Sequence, residues 1–229
     1  MALYVIGDTH LSQSVDKPMD VFGDSWQNYT QRLCENWKKT VSQHDTVIIA
    51  GDVSWGMSLS EAAADFKLID SLPGKKLVLK GNHDYWWDTV SKMRRVFLEY
   101  GITTVDFIFN NSFVTDGVAV CGTRGWMLES TSATENDKKI ITREAGRLER
   151  SLMSAPDGVE KIAVFHYPPV YDGNVAEQFV QILQKYNVKR AYYGHLHGPS
   201  IKKADVGTHF GINFCLVSAD AIDFLPINI

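Results

Sequence analysis

The sequence predicts an α/β protein in which mixed β-sheets are covered by helices. Three observations carry this reading: short apolar runs recur along the chain, helical periodicity fills the gaps between the early ones, and closely spaced extended pieces appear after residue 100. The chain has 229 residues, 45% hydrophobic and 22% charged, which is enough apolar material for a substantial core. No linker rich in Gly and Ser, low-complexity tract or internal repeat interrupts it, so residues 1–229 read as a single domain.

The strand candidates, in order, are "LYVI" (3–6), "TVIIA" (46–50), "KLVLK" (76–80), "VAVCG" (118–122), "KIAVF" (161–165), "RAYYG" (190–194) and "FCLVS" (214–218). Each is short, rich in Val, Ile or Tyr, and ends at a turn-forming or polar residue. Residues 25–43 predict the first helix: Trp26, Tyr29, Leu33, Trp37 and Val41 recur along one face, with Ser25 as the cap. In 58–70, Ala62, Phe66 and Ile69 repeat the pattern, and Ser58 with Glu61 has capping-box spacing. Segments 86–99, 137–153 and 174–186 supply three more helices. Asn110-Asn111 and Asp116-Gly117 are turn signals within "TTVDFIFNNSFVTDGVAVCG", which predicts antiparallel pieces and a system of two sheets face to face.

The net charge of -4 and the lack of a dense Lys/Arg stripe argue against an extended nucleic-acid footprint. Cys34, Cys121 and Cys215 form no close pair, and the N-terminus "MALYVIGDTH" lacks the basic start and cleavage site of a signal peptide. No apolar stretch approaches the ~20 residues needed to span a bilayer. A cytoplasmic protein without membrane association is expected.

Polar residues cluster just beyond the apolar runs. Asp8 and His10 follow the first, Asp52 the second, Asn82 the third, His166 a later one, and His195 with His197 the next. Loops beyond the carboxyl ends of strands converge in open α/β sheets, so sequence-distant groups can share one crevice. Two aspartates, an asparagine amide and four histidines suit two transition-metal ions, manganese, iron or zinc, better than calcium. Asp8 and His10, like His195 and His197, are two residues apart, which in extended backbone aims both side chains the same way. Gly7, Gly51, Gly81 and Gly194 precede the polar residues and are expected to permit tight turns. His44 and His209 are given no metal role.

Taken together, "GDTH", "GDVSW", "GNHD", the histidine of "FHYPP" and "GHLH" resemble the ordered motifs of the calcineurin-like metallophosphoesterase superfamily, over residues 7–197. The resemblance implies a four-layer α/β/β/α sandwich with a dinuclear centre. It further implies Asp8, His10 and His197 at one metal, Asn82, His166 and His195 at the other, and Asp52 bridging them. His83 would face the substrate, oriented by Asp84. The expected reaction is attack on phosphorus by a hydroxide that bridges the metals, on a small phosphomonoester or phosphodiester, aromatic or nucleotide-like. Trp55, Tyr85, Trp126 and Tyr167 offer flat surfaces for such a group, with Trp86 and Trp87 better suited to the core. Arg124, between glycines in "CGTRGW", is the candidate phosphate contact.

Three alternatives stand beside this reading: a metal-dependent nuclease, a protein serine/threonine phosphatase, and a non-catalytic metal-binding scaffold. The serine/threonine phosphatase branch carries an arginine in GDxVDRG and reads GNHE, whereas this chain reads "GDVSWG" and "GNHD". The segment 11–23, which contains Pro18, is expected to wall one side of a small pocket.

Overall fold

The computed structural model describes residues 1–130 and 132–229. The first half runs β1 (Leu3–Ile6), α1 (Tyr29–Thr40), β2 (Thr46–Ile49), α2 (Leu59–Ser71), β3 (Lys75–Leu79), α3 (Val90–Glu99) and β4 (Val105–Ile108). The second runs β5 (Phe113–Thr115), β6 (Val118–Thr123), α4 (Glu135–Met153), β7 (Glu160–Phe165), the short pair β8 (Val170–Tyr171) and β9 (Asn174–Val175), α5 (Glu177–Lys185), β10 (Arg190–Tyr193), β11 (Gly207–His209), β12 (Ile212–Leu216) and β13 (Ile227–Asn228).

Two mixed sheets result, ordered β13-β1-β2-β3-β4 and β11-β12-β10-β7-β6-β5. Within each, the central strands are parallel and the antiparallel strands lie at the edges. The strands read as unbroken apolar runs because both of their faces are buried. Leu3, Val5, Ile48, Leu77 and Leu79 face Val120, Ile162, Val164 and Tyr192 between the sheets. The alternate residues of the first sheet, Tyr4, Ile6, Val47 and Val78, pack with Trp37, Phe66 and Phe97 of the helices. Phe165, Ala191 and Tyr193 of the second do the same with Leu148, Phe179 and Leu183. The outcome is the α/β/β/α sandwich that was expected.

Several boundaries differ from the sequence reading. Residues 24–26 close a 3-10 turn and Asn28 adopts a left-handed φ of 51°, so α1 begins at Tyr29 and Ser25 caps nothing. Asn174–Val175 pairs with Val170–Tyr171, which delays α5 to Glu177. β4 joins its sheet in parallel, and Asn110-Asn111 carries the chain across to the other sheet instead of turning a hairpin. Asp116-Gly117 does turn the β5–β6 hairpin, with φ of 50° and 77°. Ser58 Oγ caps α2 by accepting from Glu61 N, while the Glu61 carboxylate accepts from Met57 N.

Where the two sheets end together, loops approach within van der Waals contact. A Cβ at Gly81 would overlap the backbone N and Oδ1 of Asp52, and one at Gly194 would overlap Asp8 Oδ2. Gly146, in the middle of α4, has open space, its nearest neighbour being Arg150 Nη1 at 3.6 Å. Lys76, wholly buried on β3, donates to the carbonyls of Leu72 and Asp70 at the end of α2 and to Thr104 Oγ1 at 3.0 Å. Burial pulls its pKa down from 10.5 to about 8, against the opposing pull of Asp70.

Two outcomes follow from this packing. Gly146→Ala is expected to stabilise by about 0.5–1 kcal/mol, and Gly81→Ala to destabilise by at least about 2 kcal/mol; urea melts that rank them the other way would refute the close approach. Because Lys76 binds its proton less tightly folded than unfolded, stability is expected to rise as pH increases from 8 toward 10.5. Lys76→Met should flatten that rise, and a wild-type curve already flat there would contradict the burial argument.

Candidate metal centre

Loops after β1, β2, β3, β7 and β10 bring Asp8, His10, Asp52, Asn82, His166, His195 and His197 to one end of the sandwich. Asp8, His10, Asp52 and His195 have φ of 59°, 44°, 51° and 74°. Left-handed backbone at residues other than glycine costs on the order of 1–3 kcal/mol each. The extended-backbone argument for the paired spacings therefore fails at Asp8, His10 and His195, and only His197 is extended, with φ -126° and ψ 154°. Among the preceding glycines, Gly51 alone needs a positive φ, 89°; Gly81 and Gly194 are required for space.

Donor and acceptor accounting shows what these groups lack. His166 Nδ1 lies 3.0 Å from the Ala50 carbonyl, which can only accept, so the ring proton sits there and Nε2 carries a lone pair. That lone pair faces Asn82 Oδ1 at 2.6 Å, with the carboxamide oxygen turned toward it, and Asp52 Oδ2 at 3.5 Å. His197 Nδ1 lies 2.7 Å from Asp220 Oδ1, which directs its Nε2 inward to His10 Nε2 at 3.3 Å and Asp8 Oδ1 at 3.4 Å. His166 Nε2 and Asn82 Oδ1 thus point acceptor at acceptor, an arrangement that a cation between them resolves.

The donor atoms form two close-set groups, Asp8 with His10 and His197, and Asp8 with Asp52 and His166, each within 4.8 Å. This donor set fits a dinuclear transition-metal centre. Asp8 approaches His166 through Nδ1, at 3.7 Å, the nitrogen already committed to Ala50. Asp52 Oδ2 is the oxygen that lies between the inward nitrogens, 3.8 Å from His10 Nε2 and 3.5 Å from His166 Nε2. His195 stands outside both groups, its ring 5.1 Å from that of His166 and its amide donating to both Asp8 oxygens at 3.0 and 2.9 Å.

Electrostatics follow the same pattern. Burial holds His10 well below its ordinary pKa and takes His166 down to about 4 and His195 to about 3, so their lone pairs are free at neutral pH. Burial opposes the charge on His197 as well, but Asp8 and Asp220 outweigh it and push that group up to about 10. Asp52 is raised well above the carboxylate range by burial, then by Asp84 and Asp8. Asp8 is held low despite burial, because His197, His166 and His10 surround it.

The role expected of Asp84 requires correction. It is wholly buried, and its oxygens accept from the backbone of Gly81 (2.7 Å), Asp52 (2.9 Å) and Val53 (2.9 Å) and from Trp86 Nε1 (3.0 Å). These bonds leave it tying the Asp52 and Asn82 loops together rather than orienting the His83 imidazole. Tyr85 Oη, at 3.4 Å from His83 Nδ1, is the group beside that ring, and the His83 amide donates to Asp52 Oδ1 at 2.7 Å.

A hollow of about 300 Å³ opens over the centre, lined by His10, Asp52, His83, His195 and His197 on its floor and by Trp26, Trp55, Met19, Phe22 and Pro199 above. Trp55 stacks on His10 with ring centroids 4.9 Å apart, and Trp26 meets His10 and His197 edge-on at 5.8 and 5.5 Å. Segment 11–23 does wall it, through Met19 and Phe22; Trp26 was missed because helical periodicity assigned it to the face of α1. Tyr85 borders a different groove beside Trp86 and Trp87, which pack toward Phe107. Trp126 and Tyr167 line a second hollow that shares His195. Arg124, expected at the phosphate, does not line the first hollow: the wholly buried Glu144 draws its guanidinium to 3.8 Å. His44 is exposed, and His209, on an edge strand, has its Nε2 3.0 Å from the Val206 carbonyl.

Residues 1–199 match the family described as calcineurin-like phosphoesterase. No curated protein matches the chain. Among solved structures it is similar to a protein of unknown function from Aquifex aeolicus, 15% identical with a TM-score of 0.54, over 99% of this chain and 95% of that one. It is also similar to phosphopantetheinyl hydrolase from Mycobacterium tuberculosis, 13% identical with a TM-score of 0.58, over 100% and 95%. At these identities the likenesses show a shared fold. The family match, in contrast, spans all five ligand-bearing loops, and the chain belongs to the calcineurin-like metallophosphoesterases.

Proposed function

We propose that this protein hydrolyses a small phosphomonoester or phosphodiester with an aromatic or nucleotide-like group, using two manganese, iron or zinc ions. The observation that carries the reading is the convergence of metal-ligating atoms from Asp8, His10, Asp52, Asn82, His166 and His197 in one small volume, with His166 Nε2 and Asn82 Oδ1 facing each other acceptor to acceptor. Asp8, His10, Asp52 and His197 would hold one ion, and Asp52, Asn82, His166 and His195 the other. When bound, the ions supply Lewis acidity that lowers the pKa of water and neutralises phosphoryl oxygens.

The chain's own groups do the rest. Asn82 offers a neutral oxygen, which adds no negative charge beside an anionic substrate. The His83 ring, with Tyr85 Oη 3.4 Å from Nδ1, lines the floor of the hollow and can offer a proton or hydrogen bond to a phosphoryl or leaving oxygen. Asp84 acts as a positioning residue: its bonds to the Asp52 and Gly81 amides fix the angle at which Asp52 and Asn82 present their oxygens. Trp55 and Trp26 hold His10 and His197 in place and present apolar surface to the substrate. Among the described residues lining the hollow there is no Lys or Arg, which favours a compact substrate over a polynucleotide. Among the described residues no helix is long and apolar enough to cross a membrane. A cytoplasmic setting, with residues 1–229 acting as one domain, suits the free thiols of Cys34, Cys121 and Cys215.

Two experiments test this reading. Asp52→Asn should lose bound metal and turnover together, whereas His83→Ala should keep its metal and lose on the order of 10²–10⁴ in kcat; metal analysis and kinetics that fail to separate the two variants would show the roles to be wrong. Protein fully loaded with each metal in turn should hydrolyse at least one of aryl phosphates, aryl phosphodiesters and nucleotides. Inactivity across that panel would sink the proposal.

A further inference from the structure

We infer that the substrate is a phosphodiester with a ring-bearing or apolar group on each ester oxygen and no second negative charge on the arm that enters the hollow of Trp126 and Tyr167. This inference rests on the phosphoesterase reading above and narrows it to diesters. Two hollows, of about 300 and about 450 Å³, flank His195, which lines both. The first has the walls of Trp26, Trp55 and Phe22 already described.

The second is built from the loops after β6 and β7. Trp126 and Tyr167 wall it with ring centroids 5.0 Å apart, and the Tyr167 ring lies 4.2 Å from that of His195. Its aromatic wall is fixed in advance, since Trp126 Nε1 donates to Asp137 Oδ1 at 2.9 Å and Asp137 is itself held in the capping box of α4 with Thr134. An indole locked in this way pays little ordering entropy on binding. A monoester has one organic group and fills one hollow; a diester whose phosphorus sits at the shared floor places a group in each.

Charge restricts what those groups are. Among the described residues, neither lining contains Lys or Arg, and Glu129 and Asp137 border the second hollow. Arg124 lies 5.8 and 5.9 Å from the Trp126 and Tyr167 rings and faces the buried Glu144. A further phosphate on the second arm would meet carboxylates, whereas on the first arm the Lys17 ammonium, 4.8 Å from the Trp55 ring, offers a compensating charge.

The test compares, in the metal-loaded protein, phenyl p-nitrophenyl phosphate with methyl p-nitrophenyl phosphate, which share a leaving group and differ in the other arm. The phenyl diester is expected to have at least about tenfold higher kcat/KM, the worth of one stacked ring. Trp126→Ala should lower that ratio at least about fivefold, and Trp126→Phe, which keeps a ring, should restore most of it. Equal kcat/KM for the two diesters in the unmutated protein, a ratio indifferent to Trp126→Ala, or a preference for p-nitrophenyl phosphate over both diesters would overturn the inference while leaving the phosphoesterase reading intact. Failure to cleave any of the three esters would overturn the inference, and inactivity on nucleotides as well would overturn the phosphoesterase reading with it.

Discussion

Metal-ligating side chains crowded into one small buried volume are the constraint on which the rest of this site depends. His166 and His197 each spend one ring nitrogen on a partner outside, the Ala50 carbonyl and the Asp220 carboxylate, and this commits the other nitrogen inward. Asp8 and Asp52 add carboxylates to the same small volume. Burial, then Asp84 and Asp8, raise Asp52, while Asp8 and Asp220 push His197 up to about 10 against burial, so protons hold places that cations would take. The site is built to attract cations.

The fold contributes rigidity. Four residues of the centre sit at positive φ, a conformation retained only where surrounding structure over-determines it. That support comes from buried sheets on one side and from Asp84 on the other, whose carboxylate gathers the amides of two loops. Burial and backbone donors pull Asp84 in opposite directions, and burial prevails, leaving it at about 6. The missing side chains at Gly81 and Gly194 let those loops close to contact distance, so the same packing that stabilises the sandwich sets the spacing of the donors.

Much of this was legible in the sequence. Strands buried on both faces leave continuous apolar runs, and a polar residue just beyond each run marks the end at which loops converge; Asp52, Asn82 and His166 were found in that way. What was hidden is what one-dimensional patterning cannot carry. Left-handed φ at Asp8 and His10 has no signature in residue type, so extended spacing misjudged how they align. Sequence adjacency pairs Asp84 with its neighbour His83, but it says nothing about where a buried carboxylate finds amide donors. Asp220 supports His197 from beyond the last motif, and Trp26 resembles a helix-face residue until the 3-10 turn removes it from α1. Arg124 lost its expected role to Glu144, a carboxylate on a helix that no local pattern connects with it.

The most direct test of the central claim is the metal stoichiometry of the chain after reconstitution with manganese, iron or zinc, measured by elemental analysis together with anomalous scattering from crystals. The account predicts two ions per chain, one beside His10 and His197 and one beside Asn82 and His166, with Asp52 touching both. A chain that takes up no transition metal, or binds it away from these residues, would contradict it.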